Sequence, residues 1–277
     1  MNVNVFENTM ANMTWTEIAK LAKADALVIL PVGIIEEHGV HLPLGTDVYL
    51  AIAQARNIAS GMREKNAPCV IAPPYYWGVI STVTKNFPGS FTAKPEHIKA
   101  ILTDILESIE RSGFKRLIVT NAHGDGEHIR TIITALKKYN QTHSMNVRWL
   151  AFENDVKMYG LDGHEDFILS IPSYKLTNRM LGVENLKDTF DVHAGALETA
   201  YMQEEFPQLT NLALARLQSP TMLKDEQIKQ WMSGKPEYNG LTPAGHVGDP
   251  HMSNQLQSKM GEEYIEISRF IIEFYKS

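Results

Sequence analysis

ALVILPVGIIEEHGVHLPLGTD, residues 26–47, decides how the rest of the chain is read. Its first half, Ala26 to Pro31, is a short apolar run without polar alternation, the pattern of a strand buried on both faces. Its second half is polar and punctuated by Gly39, Pro43 and Gly45, and it leads into an amphipathic helix, Val48 to Ile58, that opens behind Asp47. A buried strand, an irregular polar loop and then a helix make up one β-α unit of an open parallel sheet. In such sheets sites collect beyond the carboxyl ends of the strands.

Working outward, the same unit recurs. Thr14 and Glu17 have capping-box spacing and open a helix through Ile18 and Leu21 ahead of the first strand. Val70 to Ala72 reads as a second buried strand, followed by an aromatic segment, Tyr75 to Gly89, long enough to be a functional loop or a hairpin. Pro95 stands at the first position of a helix carrying Ile98, Ile101, Ile105 and Ile109, and Gly113 stops it. Strand Phe114 to Thr120, helix Glu127 to Tyr139 and strand Val147 to Phe152 follow. The stretch Asp155 to Phe190 is less periodic, while Ala196 to Glu205 and Gln255 to Tyr275 read as helices. The alternation predicts an α/β fold with a largely parallel sheet covered on both faces. No repeat or linker divides the chain, so residues 1–277 are expected to form one domain.

Composition excludes several functions. With 26 Lys and Arg against 32 Asp and Glu, the formal charge is −6 and no basic run occurs, which argues against nucleic acid or an anionic membrane surface as the partner. The apolar run from Ala26 to Ile35 is far short of the ~20 residues of a membrane span. The N-terminus lacks the basic and apolar regions of a secretory signal. Cys69 is the one cysteine, so no intramolecular disulfide forms, and a reducing, cytoplasmic setting is expected. Cys69 itself reads as an inert thiol.

Metal-capable side chains crowd behind two strands and one helix start. In the first cluster Glu36 and His38 are two apart, on one face of extended chain, and Asp47 returns at the helix N-terminus. A carboxylate, an imidazole and a second carboxylate suit Zn²⁺, Mn²⁺ or Fe²⁺. The second cluster, TNAHGDGEH at 120–128, places His123 at a strand end as a further ligand and Asp125 as another candidate; His128, inside the next helix, reads as a surface residue. Its Gly124-Asp-Gly126 is not a dinucleotide turn, because Ile129 replaces the third glycine. The third cluster, DVHAGALET at 191–199, offers His193 as a general acid or base and Glu198 as a ligand or an orienting carboxylate, with Asp191 either orienting His193 or standing as an exposed loop carboxylate.

Taken in order, these three clusters resemble the signature segments of the creatininase family of metal-dependent amidohydrolases, and GHVGDP at 245–250 is similar to that family's glycine-rich loop. The resemblance runs from about Leu27 to Gly261. It implies a three-layer α/β/α sandwich, a two-metal centre (zinc first, manganese or iron as alternatives), a small-molecule substrate, hydrolysis of a cyclic amide or another carbon–nitrogen bond, and homo-oligomers that are often hexameric. Carried over, Glu36 and His123 would bind one ion, His38 the other, and Asp47 would bridge them. Asp125 and Glu198 compete to complete the second site; Glu198 is preferred for its longer reach. His193 would donate the proton to the leaving group.

Departures bear on substrate. Creatininase proper has a Tyr after the second-motif histidine and a Trp lid before the third motif; here stand Gly124 and, near the lid position, Thr189 and Phe190. Glu37 and Val40 replace the usual Gln and Pro, which is expected to alter the rim of the site. Creatinine itself is therefore not the expected substrate. Hydrolytic ring opening of a keto-inositol is the alternative, and a non-catalytic metabolite-binding protein is a third reading.

Overall fold

In the computed structural model, which describes residues 3–172, 180–181 and 191–276, strand β1 (Leu27–Val32) is buried along its whole length, as a strand between two helical layers must be. Helix α1 (Trp15–Lys23) precedes it, with Glu17 Oε2 accepting from the Thr14 backbone N–H at 2.7 Å in the expected capping box. Helix α2 (Thr46–Glu64) leads to β2 (Cys69–Ile71), α3 (Pro95–Arg111) to β3 (Arg116–Asn121), and α4 (Gly126–Thr142) to β4 (Asn146–Phe152). A short α5 (Glu153–Met158) precedes β5 (Ile168–Ile171), and β6 (Met180–Leu181) follows. The remaining elements are α6 (Ala196–Glu205), α7 (Leu212–Ala215), α8 (Asp225–Met232), β7 (Gln257–Ser258) and α9 (Met260–Phe274).

The main sheet has the order β2-β1-β3-β4-β5 with every pairing parallel, and β6 and β7 form a separate antiparallel pair. Two cores follow from the period of two along each strand. Val28, Leu30 and Val32 point into one, with Leu102 and Leu106 of α3 and Ile132 and Leu136 of α4. Leu27 and Ile29 point into the other, with Ile52 and Ile58 of α2 and Ile267 and Ile271 of α9. The expected three-layer α/β/α sandwich is the architecture found.

Three differences from the sequence reading have physical causes. The stretch 155–190 contains a fifth parallel strand, β5, whose four residues are too few to show a period. The α3 stripe is Ile98, Leu102, Leu106 and Ile109, leaving Ile101 exposed, because adjacent apolar pairs make two stripes equally periodic and docking on the sheet selects one. The C-terminal helix starts at Met260, after a short 3-10 turn at Pro250–Gln255 and strand β7.

The connection after β1 runs to β2 on one side, and the chain then returns to β3 on the other. A crevice therefore opens between the carboxyl ends of β1 and β3, where Val32 is in register with Asn121. Gly33 makes the crevice tight: a Cβ there would lie 2.5 Å from the Asp47 carbonyl carbon and 2.6 Å from Val48 N. Only a glycine lets the first turn of α2 press against the end of β1.

Candidate metal centre

The loop that leaves β1 is closed by the Glu36 N–H donating to Leu44 O at 2.9 Å, and it carries Glu36 and His38 inward beside Asp47. His123 lies two residues past the end of β3. His193 is held in an isolated antiparallel bridge to Val247 of the GHVGDP segment, and Glu198 sits in the first turn of α6. The three sequence clusters meet here. Ligand atoms of Glu36, Asp47 and His123 lie within 4.8 Å of one another; so do those of His38, Asp47 and Glu198, and those of Glu36, His38 and His193.

Asp47 belongs to two of these groups through different oxygens. Its Oδ1 is 3.2 Å from His38 Nε2 and its Oδ2 is 3.1 Å from His123 Nδ1. His123 Nδ1 is also 3.1 Å from Glu36 Oε2, and His38 Nε2 is 3.8 Å from Glu198 Oε2. The other ring nitrogens are already engaged: His38 Nδ1–H donates to Glu36 O at 3.0 Å, and His123 Nε2–H donates to Val79 O at 3.2 Å. The inward-facing nitrogens are thus the ones that would present lone pairs to a cation once their protons are displaced. Opposite them, Glu36 Oε2 and Asp47 Oδ2 are buried without a hydrogen-bond partner. Electron-rich atoms buried face to face are costly unless a cation or protons stand between them. This donor set fits divalent metal ions.

The titration behaviour of the metal-free chain follows from the same crowding. Burial alone would lower His38, but the carboxylates of Asp47, Glu198 and Glu36 outweigh it and raise it to about 10. Burial opposes protonation of His123 too, yet Glu36 and Asp47 hold it well above its ordinary value. Burial would raise Glu36 and Asp47, but the adjacent imidazoles keep both below the usual carboxylate range. Glu198 is raised by burial, and its Oε2 accepts from Ala194 N–H at 2.6 Å. His193 is raised despite burial and His38, because the Glu37 hydrogen bond and the charges of Glu36 and Glu37 prevail.

A cavity of about 690 Å³ opens over these groups, walled in part by Ser81, Asn121, Trp149, Tyr159, Tyr201 and Trp231. A Cβ on Gly124 would meet nothing within 4 Å, so the space beside Gly124 itself is open. Thr189 and Phe190, at the lid position, lie outside the described residues.

Several single-residue expectations change. Asp125 is in none of the ligand groups, since its Oδ1 accepts from Glu127 N and His128 N and its Oδ2 from Ser81 N and Oγ. His128 is fully buried rather than on the surface, and burial together with His123 lowers it to about 3. Asp191 does not orient His193: its carboxylate accepts from Ala196 N and Leu197 N at the start of α6. His193 Nε2–H instead donates to Glu37 O at 2.7 Å. Glu37 is buried rather than at the rim, while Val40 is 52% exposed. Cys69 is pushed up to about 11 by burial, as an inert thiol should be. Thr84, whose hydroxyl donates to Glu36 Oε1, was not legible beforehand; the one signal was its place in the long segment after β2.

An open parallel sheet with buried histidine and carboxylate clusters beyond adjacent strand ends defines a metal-centre α/β sandwich. The profile of the creatininase family, described as creatinine amidohydrolase, matches residues 11–267, and the chain belongs to that family. It is 28% identical over 139 residues to a 3-dehydro-scyllo-inosose hydrolase of Thermotoga maritima, which covers 50% of this chain and 43% of that protein. It is 28% identical over 128 residues to a creatinine amidohydrolase of Pseudomonas putida, covering 44% and 46%. The chain thus spans less than half the length of these relatives. A solved structure of creatininase with manganese superposes with a TM-score of 0.68 over 98% of this chain and 99% of that one, at 20% identity.

Proposed function

We propose that this chain is a hydrolase that holds two divalent cations through Glu36, His38, Asp47, His123 and Glu198 and cleaves a small cyclic amide or another carbon–nitrogen bond, with creatinine itself not the substrate. The observation that carries the reading is Asp47, one carboxylate shared by two buried ligand groups through its two oxygens. Such ions, zinc first and manganese or iron as alternatives, lower the pKa of a bound water toward ~7 and polarise a carbonyl. The manganese in the similar creatininase structure supports this choice of ion class.

The chain's own residues supply the rest. Val79 O and Glu36 O hold the outer nitrogens of His123 and His38, so that each presents one defined lone pair. Thr84 holds Glu36. Because His193 Nε2–H is engaged by Glu37 O, Nδ1 is the nitrogen left to pass a proton to the leaving group. Glu198, in the first turn of the helix that follows His193, would steady the same proton.

A second reading, carbon–carbon hydrolysis of a keto-inositol ring, is favoured by the open space at Gly124 and by the hydroxyl and amide groups of Ser81, Thr82 and Asn121 on the cavity wall. The relative named for inosose hydrolysis supports it. In either case the reading takes one folded unit over residues 1–277, a cytoplasmic location and a homo-oligomer, with a hexamer as the family precedent. No helix among the described residues is long and apolar enough to cross a membrane.

The test is a panel of lactams, formamides and inososes, assayed with Zn²⁺ or Mn²⁺ and again after chelation, for wild type and Asp47→Ala. Metal-dependent turnover of one class, lost in the variant, is expected. Rapid creatinine turnover, or turnover indifferent to chelation, would refute the reading.

A further inference from the structure

The second motif contains a histidine that takes no part in the ligand groups. His128 lies on the first turn of α4, fully buried, with its ring edge-on to His123 at a centroid distance of 5.0 Å. Its two nitrogens have different partners. Val79 N–H donates to Nδ1 at 3.3 Å, so Nδ1 is unprotonated; Nε2–H must then be the donor to Asn121 Oδ1 at 3.2 Å. Asn121 in turn donates its Nδ2–H to His123 O at 2.6 Å, and Val79 O accepts from His123 Nε2–H. The bonds close a ring that runs His123, Val79, His128, Asn121 and back to His123.

Both groups of one residue, Val79 N–H and C=O, are thus spent on histidines. The adjacent Ser81 N–H is held by Asp125, also at the start of α4, and Ile80 N–H by Thr92 Oγ1 at 2.9 Å. The segment is further shaped by Gly78, where a Cβ would lie 2.5 Å from His128 Nδ1 and 2.5 Å from Ile34 Cγ2. Nothing larger than glycine leaves room for the ring to sit against that backbone. An isolated core histidine would need one satisfied partner; this one fixes the peptide that fixes a ligand.

We infer that His128 is a positioning residue for the metal centre: by accepting from Val79 N–H it aims Val79 O at His123 Nε2–H and so presents His123 Nδ1 to Glu36 and Asp47. The inference rests on the reading of His123 as a ligand. It makes a prediction that packing alone does not, because the two amide side chains that mimic histidine do so at different atoms. Asn places its oxygen where Nδ1 was and can still accept from Val79 N–H; Gln reaches the Nε2 position and cannot.

The experiment measures Zn²⁺ affinity of the full chain by competition with a chromophoric chelator, together with the melting temperature of the metal-free protein, for wild type, His128→Asn, His128→Gln and His128→Leu. We expect His128→Asn to bind Zn²⁺ within about threefold of wild type and His128→Gln and His128→Leu to lose about 10- to 100-fold, the range for losing a partner that orients a metal ligand. If His128→Leu does not fold, the Asn and Gln pair decides. Equal affinities for Asn and Gln, or affinities that simply follow metal-free melting temperature, would overturn the inference. Failure of wild type to bind Zn²⁺ would overturn the metal reading as well, so the two failures are distinguishable.

Discussion

Asp47→Asn is the sharpest single perturbation of the centre. The side chain is buried and shared, with Oδ1 at 3.2 Å from His38 Nε2 and Oδ2 at 3.1 Å from His123 Nδ1. Asn keeps the shape but carries one NH2, and either orientation of the amide sets hydrogens against one of those two ligand nitrogens. At a Zn²⁺ concentration one hundred times the wild-type Kd, binding stabilises the native state by about 2.7 kcal/mol. For a chain of this size, at about 2–4 °C per kcal/mol, the melting temperature rises by about 5–11 °C. Losing the shared ligand should weaken binding at least about 100-fold, the upper end of what loss of a mere orienting partner costs. The same Zn²⁺ concentration then equals Kd, and the stabilisation falls to about 0.4 kcal/mol, or about 1–2 °C. The assay is differential scanning calorimetry with and without Zn²⁺, each protein referred to its own metal-free melting temperature, which removes the effect of the lost charge on the empty site. A variant that keeps the full Zn²⁺-dependent increment would show that Asp47 is not a ligand.

Two further outcomes follow from the hydrogen bonds. Asp125→Ala should lower stability by about 1–2 kcal/mol, as the loss of a helix cap does, while Zn²⁺ stoichiometry stays unchanged; Glu198→Gln should do the reverse. Metal analysis and urea unfolding of both variants would check this, and a metal deficit in Asp125→Ala would reopen its role as a ligand. Glu110 supplies a pH test away from the site. Slight burial opposes its ionisation, but donors on Ser144, Tyr139 and Met145 outweigh it and hold the carboxyl at about 2, below its ordinary 4.5. Its contribution is therefore complete above about pH 4.5 and lost as pH falls toward 2. Glu110→Gln should be less stable than wild type at pH 7 and should lose less on going to pH 3; equal pH slopes in urea titrations would contradict the assignment.

Much of this protein was legible in its sequence. Apolar runs at Ala26 to Pro31 and Phe114 to Thr120 announce strands buried on both faces, because a strand without polar alternation has no face to show water. Glycine and proline after β1 mark the loop that carries Glu36 and His38, and the order of the three clusters indicates the family before any distance is known. What the sequence does not carry is how each side chain's hydrogen-bonding capacity is spent. Asp125 and Glu198 are both acidic residues near a helix start, and Asp191 and Glu37 are both acidic neighbours of His193 along or across the chain. The tertiary structure separates them. Four donors from the backbone and Ser81 occupy both oxygens of Asp125 and the N-terminal amides of α6 occupy both oxygens of Asp191, whereas Glu198 accepts a single N–H, from Ala194, and lies 3.8 Å from His38 Nε2. His128 is the same lesson in reverse: a polar residue in a helix reads as solvated until the fold lays the Val79 peptide against it. Residue type and spacing determined which atoms were able to bind a metal; only the packing of the loop after β2 onto α4, and of residues 191–197 at the start of α6, decided which carboxylates have both oxygens taken up by buried donors and which keep capacity for a cation.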